Sequence, residues 1–294
     1  GGAAAEEDGE RVGGATEEEV YAAVELPWME PELREDRGEF EAAARGELPS
    51  LVRVEDVRGD LHMHSTWSDG TASILEMARA CRDRGYQYMA VTDHSRAVTV
   101  AGGLTPERVR EQWEEVARVQ EEMGEDFRIF RGQEVDILKD GSLDQPDDIL
   151  EGLDLVVVSV HSFMDMDRDA MTRRVLKALS HPRVDILAHP TGRLLNRREG
   201  YDLDVEAVLE VARERDIAVE VNAHPRRLDL NDLNLRRARD LGVRVVVNSD
   251  AHSVEGLDVM RFGVDQARRG WLAAGEVVNC LPHRQVSAWL GRQR

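Results

Sequence analysis

Cysteine, lysine and aromatic residues are scarce in this chain of 294 residues, which has two cysteines and 5% aromatic residues. Cys81 and Cys280 lie far apart in the sequence, so we expect no disulfide framework and take a reducing cytoplasm as the location. No run of about 18 apolar residues occurs, which excludes a membrane-spanning helix. The chain does not open with a basic and then an apolar stretch, so we expect no cleavable secretory signal.

Positive charge is also scarce. The formal net charge is −20, and Lys139 and Lys177 are the only lysines, so nearly all cationic groups are arginines. This balance excludes a broad basic surface for binding nucleic acid. It leaves open a local site in which bound metal ions supply the positive charge.

The first 56 residues differ in composition from the rest of the chain. Residues 1–16 are small, acidic and rich in glycine, which predicts a flexible linker. Residues 17–56 contain two short helical stretches, too little to bury a core, and we interpret them as a linking segment. Residues 57–294 form the expected main domain. The chain opens with Gly-Gly and its first methionine is Met29, so we expect it to be part of a longer protein.

From residue 59 onward, short apolar runs alternate with amphipathic helical patterns. The runs are 59–64, 86–93, 127–135, 154–161, 184–189, 217–222 and 243–249. The helical patterns are 72–84, 105–123, 168–180, 204–215, 232–241 and 256–270. Dense valine and isoleucine predict strands that are buried on both faces, and strand–helix alternation predicts parallel strands. Seven strands fit either an α/β barrel or a large open sheet.

Residues of the types that bind metals lie at or just after the end of these runs. They are His62, His64, Asp69, His94, Glu134, His161, His189, Asp250 and His252. In parallel α/β folds the carboxyl ends of the strands meet at one rim, where sites are built. A single buried histidine or a lone aspartate before a helix is more often structural. Six imidazoles and three carboxylates packed together without metal would, however, be costly.

The types of ligand narrow the choice of metal and of reaction. Imidazole and carboxylate without thiolate favour Zn, Mn or Fe(II). Nine candidate ligands are too many for one ion and suffice for two or three. Clustered divalent ions indicate hydrolysis of phosphoesters, because one ion activates water and another stabilises the leaving oxygen. Such ions would also attract phosphate to an acidic protein.

Four further residues on predicted rim loops are candidates for binding substrate. Arg193, three residues beyond Pro190, could hold a phosphate oxygen through a bidentate contact. Arg96, Arg227 and His224 are weaker candidates. The alternative for each of these arginines is an ordinary ion pair at the surface.

Seven segments, spaced between about residues 57 and 270, resemble the PHP (polymerase and histidinol phosphatase) family. They are GDLHMHSTWSDG (59–70), AVTDHS (90–95), GQEVDI (132–137), VSVHS (158–162), LAHPTGR (187–193), EVNAHPRRLDL (220–230) and NSDAHS (248–253). The resemblance implies a distorted seven-stranded (β/α)7 TIM-like barrel with three metals at its carboxyl rim. It implies that the nine residues named above are the ligands, with Glu134 as the bridging carboxylate. We accordingly expect catalytic roles for Glu134, His161, Asp250 and Arg193.

Residues 16–43 (TEEEVYAAVELPWMEPELREDRGEFEAA) resemble the segment that precedes the PHP domain in bacterial family X DNA polymerases. This resemblance implies a DNA 3′ end as substrate, 3′–5′ exonuclease action supported by Mn²⁺, a role in DNA repair, and polymerase domains upstream. Processing of 3′-phosphates or abasic sites is a related possibility. Two alternatives stay open: a small-molecule phosphomonoesterase of the histidinol-phosphatase type, and a non-catalytic scaffold. The presence of all nine candidate ligands argues against the scaffold.

Overall fold

The computed structural model describes residues 5–7 and 10–291, which fall into two compact units, Gly1–Leu51 and Val52–Arg294. The chain therefore divides a few residues before the predicted boundary at residues 56 and 57, which stays a prediction. Within the described residues, no helix combines the length and the apolar character needed to cross a bilayer.

The first unit contains a short hairpin and two helices. Strands β1 (Ala5–Glu7) and β2 (Glu10–Gly13) pair antiparallel, and helices α1 (Glu17–Ala23) and α2 (Glu39–Arg45) follow. The hairpin lies within the predicted linker, whose residues 1–4, 8 and 9 are outside the described residues. Backbone hydrogen bonds pair these strands, and composition does not report them. The expectation of a flexible linker over residues 1–16 stays a prediction.

The second unit is built on seven parallel strands, each paired with the next along the chain. The strands are β3 (Gly59–Asp60), β4 (Tyr88–Val91), β5 (Arg128–Asp136), β6 (Leu155–Ser159), β7 (Ile186–Leu187), β8 (Ala218–Asn222) and β9 (Val245–Asn248). Beyond the ends of β3 and β9, Met63 and Ala251 form a parallel bridge, and His64 N donates to Ala251 O at 2.8 Å. This bridge makes the sheet a nearly closed barrel. The predicted α/β barrel is therefore confirmed and the open sheet is excluded.

Helices cover the outside of the barrel and one of its ends. They are α3 (Ile74–Asp83), α4 (Pro106–Met123), α5 (Asp147–Gly152), α6 (Arg168–Leu179), α7 (Val205–Glu214), α8 (Asp232–Leu241), α9 (Met260–Arg269) and α10 (His283–Gly291). Val286 and Trp289 of α10 pack with alternate strand residues such as Leu155 and Val157. Trp289 Nε1 also donates to the carbonyl of Asp216, just before β8. Helix α10 thus closes the amino end of the barrel and leaves the carboxyl end for the site.

Candidate metal centre

The barrel brings all nine predicted ligands to the carboxyl ends of its strands. His62 and His64 follow β3, and Asp69 lies in the loop beyond them. The other six are His94 after β4, Glu134 within β5, His161 after β6, His189 after β7, and Asp250 and His252 after β9. Because parallel strands end at the same rim, residues far apart in the sequence become neighbours here.

Donor atoms of these side chains form three overlapping groups, within each of which the atoms lie within 4.8 Å of one another. The groups are His64, Asp69, His94 and His252; His62, His64 and Asp250; and His94, Glu134 and His161. Converging imidazole nitrogens and carboxylate oxygens suit a borderline divalent cation such as Zn²⁺ or Mn²⁺. The shared residues place the three groups side by side.

Glu134 lies at the middle of the cluster, and its carboxylate is within 3.6 Å of five imidazoles. Oε1 is 2.9 Å from His189 Nε2 and 3.4 Å from His161 Nε2, while Oε2 is 2.8 Å from His94 Nδ1, 3.4 Å from His62 Nε2 and 3.6 Å from His64 Nε2. The residue is only 1% exposed. Its two oxygens therefore face different imidazoles, which is the geometry a bridging carboxylate needs.

Several buried polar atoms of the cluster have no hydrogen-bond partner within the described part of the chain. These atoms are His62 Nε2, His64 Nδ1, His94 Nδ1, His189 Nδ1 and Glu134 Oε2. His94 Nδ1 and Glu134 Oε2 are 2.8 Å apart, which is close enough for a hydrogen bond, but the angles between the two groups do not allow one. An unpartnered buried donor or acceptor costs roughly 1–3 kcal/mol. Coordination of cations would satisfy these atoms, so the residues fit a divalent-metal centre.

The pKa shifts in the cluster also favour a divalent-metal centre. Burial lowers the pKa of His64 to about 3, and the like charges of His94 and His252 act in the same direction. Burial would also lower the pKa of His94, but the Glu134 and Asp69 carboxylates raise it to about 10. Burial would raise the pKa of Glu134, yet the imidazoles around it, His94 first, hold it well below its usual range. Without cations, protonated imidazoles balance the carboxylates, and divalent ions can replace those protons.

Two buried carboxylates outside the predicted set orient the imidazoles. Glu220 Oε1 is 2.7 Å from His62 Nδ1, and its Oε2 accepts from the backbone N–H of His189 at 2.8 Å. Asp136 Oδ1 is 3.1 Å from His161 Nδ1. Carboxylates that hold the second ring nitrogen fix the imidazole for metal binding. Sequence reasoning assigned no role to either residue, although a charged residue inside a valine-rich strand run is a signal for one.

Two of the predicted ligands have unusual backbone conformations. The φ angle of His189 is +28° and that of Asp250 is +54°. Positive φ is uncommon for residues other than glycine, and where it persists the surrounding structure must hold it. One such restraint is the hydrogen bond that the backbone N–H of His189 donates to Glu220. Another is the hydrogen bond that Asn222 Nδ2 donates to Asp250 Oδ2 at 3.0 Å.

The four residues predicted to contact substrate fall into two pairs, of which one lies nearer the cluster. Arg193 Nε donates to Arg227 O at 2.9 Å, and Arg193 Nη2 donates to Leu228 O, so one edge of its guanidinium group is occupied by backbone. Arg96 is half exposed and pairs with buried Asp144, 3.2 Å away.

Arg227 and His224 lie nearer the cluster. Arg227 Nε is 3.6 Å from Asp250 Oδ2. Burial lowers the pKa of half-buried His224, and the charge of Asp250 opposes that shift. The phosphate contact predicted for Arg193 stays a prediction, because the two loop carbonyls occupy the Nε–Nη2 edge of its guanidinium group and not the other edge. Arg227 is the arginine in contact with the carboxylates.

Comparison with known proteins identifies the family. The family model of the PHP domain matches residues 60–224, more than half of the chain. The chain belongs to the PHP domain family. A second model, the DNA polymerase beta thumb, matches residues 2–35.

Two curated relatives of the chain differ in length. The chain is 46% identical, over 277 residues, to the DNA polymerase/3′-5′ exonuclease PolX of Bacillus subtilis (strain 168). The match covers 94% of this chain and 48% of that protein, so this chain spans about half the length of that relative. A probable phosphatase of Thermoanaerobacter sp. (strain X514) is 32% identical over 217 residues, covering 69% of this chain and 81% of the relative.

Solved PHP structures share the fold of the barrel. A putative histidinol phosphatase from Listeria monocytogenes superposes with a TM-score of 0.55 at 15% identity, over 68% of this chain and 97% of that one. Histidinol phosphate phosphatase from Lactococcus lactis, solved with Zn, L-histidinol and phosphate, gives a TM-score of 0.52 at 15% identity, over 71% of this chain and 93% of that one. At this identity the likeness concerns the fold alone.

Proposed function

We propose that this chain is a metal-dependent phosphoesterase that removes nucleotides from DNA 3′ ends, as a 3′–5′ exonuclease. The observation that carries the proposal is the buried Glu134, with five imidazoles around its two carboxylate oxygens. The 46% identity to a PolX named as a polymerase and 3′-5′ exonuclease favours DNA as the substrate. Processing of 3′-phosphates and abasic sites belongs to the same proposal, and so does a role in DNA repair.

Two or three divalent cations, Zn, Mn or Fe, are the proposed cofactors, and Mn²⁺ is the one we expect to support activity. The proposed ligands are His62, His64, Asp69, His94, Glu134, His161, His189, Asp250 and His252. When bound, such cations lower the pKa of water and offset the negative charge of the phosphoryl oxygens.

The chain's own residues orient this centre and the substrate. Glu220 and Asp136 hold the rings of His62 and His161, so that the opposite ring nitrogens face Glu134. Arg227, beside Asp250, is placed to donate to a phosphate oxygen, a contact that is strongest when bidentate. Arg193 keeps the Arg227 carbonyl in place, and the phosphate contact predicted for it stays part of the proposal.

The rest of the protein is proposed from the same comparisons. We propose residues 57–294 as the phosphoesterase domain and residues 17–56 as the segment that joins it to polymerase domains upstream. The match of the polymerase thumb to residues 2–35 supports this arrangement. A cytoplasmic location is also proposed, supported by Cys81 and Cys280, which are both buried and free.

The proposal is tested with a 5′-labelled DNA strand and purified protein loaded with Mn²⁺. We expect progressive shortening from the 3′ end. His62→Ala and Asp250→Ala should each lower the rate by more than about 100-fold, the upper range for residues that only orient a ligand. His283→Ala, a histidine on α10 away from the centre, is the matched control and should cleave at the wild-type rate. Intact DNA with fully loaded protein would reject the proposal.

The second candidate is a small-molecule phosphomonoesterase, favoured by the relative named as a probable phosphatase, 81% of which is covered by the match. The same metal centre could serve either reaction. Rates on p-nitrophenyl phosphate and on the labelled strand, measured with one Mn²⁺-loaded preparation, separate the two. Faster turnover of the small ester than of DNA at equal concentration would favour the second candidate.

A further inference from the structure

Asp69 differs from the other proposed ligands because it lies in the loop Ser65–Gly70 rather than at a strand end. Its Oδ2 is 3.3 Å from His252 Nε2 and 3.6 Å from His94 Nε2, and its Oδ1 is 3.7 Å from His64 Nδ1. The side chain is 34% exposed, so part of it is open to solvent. The position of this carboxylate therefore depends on what holds the loop.

Asp93, a buried residue just after β4, binds the backbone and side chains of that loop. It accepts hydrogen bonds from Ser65 N at 2.8 Å, Ser65 Oγ at 2.6 Å, Ser68 N at 3.2 Å and Ser68 Oγ at 2.5 Å. A fifth donor comes from outside the loop, because Gln112 Nε2 of helix α4 donates to Asp93 Oδ2 at 2.6 Å. Gln112 itself is buried.

The same face of α4 contacts the loop at two more points. Arg108 Nη2 donates to the carbonyl of Trp67 at 2.7 Å, and Trp67 Nε1 donates to Glu115 Oε2 at 2.8 Å. Arg108, Gln112 and Glu115 are spaced four and three residues apart, which places them on one face of the helix.

Close packing against the end of β3 limits the loop from its other side. A Cβ atom on Gly70 would lie 2.7 Å from the backbone C and O of His64. The loop is therefore held between the His64 backbone and α4, with little room to shift.

We infer that helix α4 is a clamp for one cation, in which Arg108, Gln112 and Glu115 are positioning residues that hold Asp69 against His64, His94 and His252. The inference rests on the metal centre of the proposed function. None of the three is among the proposed ligands, and each acts through the loop. Residues that orient a ligand typically change metal affinity by about 10–100-fold when they are lost.

The clamp is tested by titrating the metal-free full chain with Mn²⁺ in a calorimeter and counting bound ions by elemental analysis. Gln112→Ala should weaken one binding step by about 10–100-fold and leave the remaining steps unchanged. Glu115→Ala should weaken the same step. Glu115→Gln keeps an acceptor oxygen for Trp67 and should restore wild-type affinity.

Gln120→Ala is the matched control on the same helix. Its side-chain amide forms hydrogen bonds with Gly124 O, Phe127 O and Ile129 N, at the opposite end of α4 from the loop. This variant should lose thermal stability while it binds Mn²⁺ like the wild type.

The outcomes separate the clamp from the proposed activity. Unchanged Mn²⁺ affinity in Gln112→Ala, or an equal loss in Gln120→Ala, would overturn the clamp, and so would a wild-type chain that binds no Mn²⁺. A selective loss in Gln112→Ala with a wild type that leaves DNA intact would support the clamp and overturn only the exonuclease proposal.

Discussion

At Glu134, one carboxylate meets imidazoles from four different strand ends, those after β3, β4, β6 and β7. No other acidic side chain in the described residues lies within 4 Å of so many imidazoles, since Asp69 and Asp250 each have three. A charge buried this deeply is tolerated because opposite charges surround it. The residue therefore couples the protonation of the imidazoles to the binding of cations.

This coupling predicts that binding of Mn²⁺ releases protons. Burial would lower the pKa of His94, but Glu134 and Asp69 raise it to about 10, so the imidazole is protonated at neutral pH when no cation is bound. A metal ligand must be deprotonated, so affinity should rise as pH rises and fall as pH falls. Calorimetric titrations at pH 7 in two buffers with different heats of ionisation measure the protons released. Equal heats in both buffers would contradict the prediction.

At the scale of single residues, the sequence predicts the nine residues of the cluster but not the two carboxylates that orient its imidazoles. The nine residues are predictable because each lies near the end of a parallel strand or, like Asp69, in the loop that follows one, and strand ends share one rim. Glu220 and Asp136 escape prediction because a hydrogen bond to a particular ring nitrogen depends on the barrel's closure. The hydrogen bonds from Arg193 to the carbonyls of Arg227 and Leu228 also escape prediction, because its distance from Pro190 in the sequence says nothing about those carbonyls.

At the scale of the elements, Arg193 joins the loops after β7 and β8. We therefore predict that a substitution of Arg193 weakens the binding of substrate and leaves the binding of metal ions unchanged. Arg193→Lys loses the fork that bonds two carbonyls, so Arg227 should lose its fixed position. We expect the KM for the DNA strand to rise about tenfold, which corresponds to about 1.4 kcal/mol. The number of bound Mn²⁺ ions should not change.

Steady-state kinetics with the labelled strand, beside elemental analysis, check this prediction. Arg237→Lys is the matched control, because Arg237 pairs with Glu206 at the exposed surface. A KM for Arg193→Lys equal to that of the control would refute the coupling between the loops.

Most elements of the barrel are predictable from hydrophobic period, and the exceptions have physical reasons. All seven strands and the six predicted helices of the second unit are present. Strand β3 has only two residues, and beyond them the chain forms only the single bridge from Met63 to Ala251. Helix α5, six residues long, is too short for its period to be recognised, and α10 lies beyond the last strand, where alternation gives no cue.

For the molecule as a whole, a cluster of buried imidazoles and carboxylates predicts stabilisation by metal. Binding to the native state adds about 2.7 kcal/mol per ion at a concentration 100 times the dissociation constant. For a domain of this size, that corresponds to a rise in Tm of roughly 5–10 °C per ion. Differential scanning calorimetry with Mn²⁺ and with EDTA measures the difference. Asp250→Ala should show a smaller difference, and identical wild-type melts would count against the centre.

The bridge between Met63 and Ala251 has a consequence for the order in which the protein is made. It joins the first and last strands of the barrel, and it brings Asp250 to His62 and His64 and the ring of His252 to that of His64. While the ribosome is still translating the last strand, the nascent chain lacks two of the nine proposed ligands. The proposed metal centre is therefore complete only after the ring has closed.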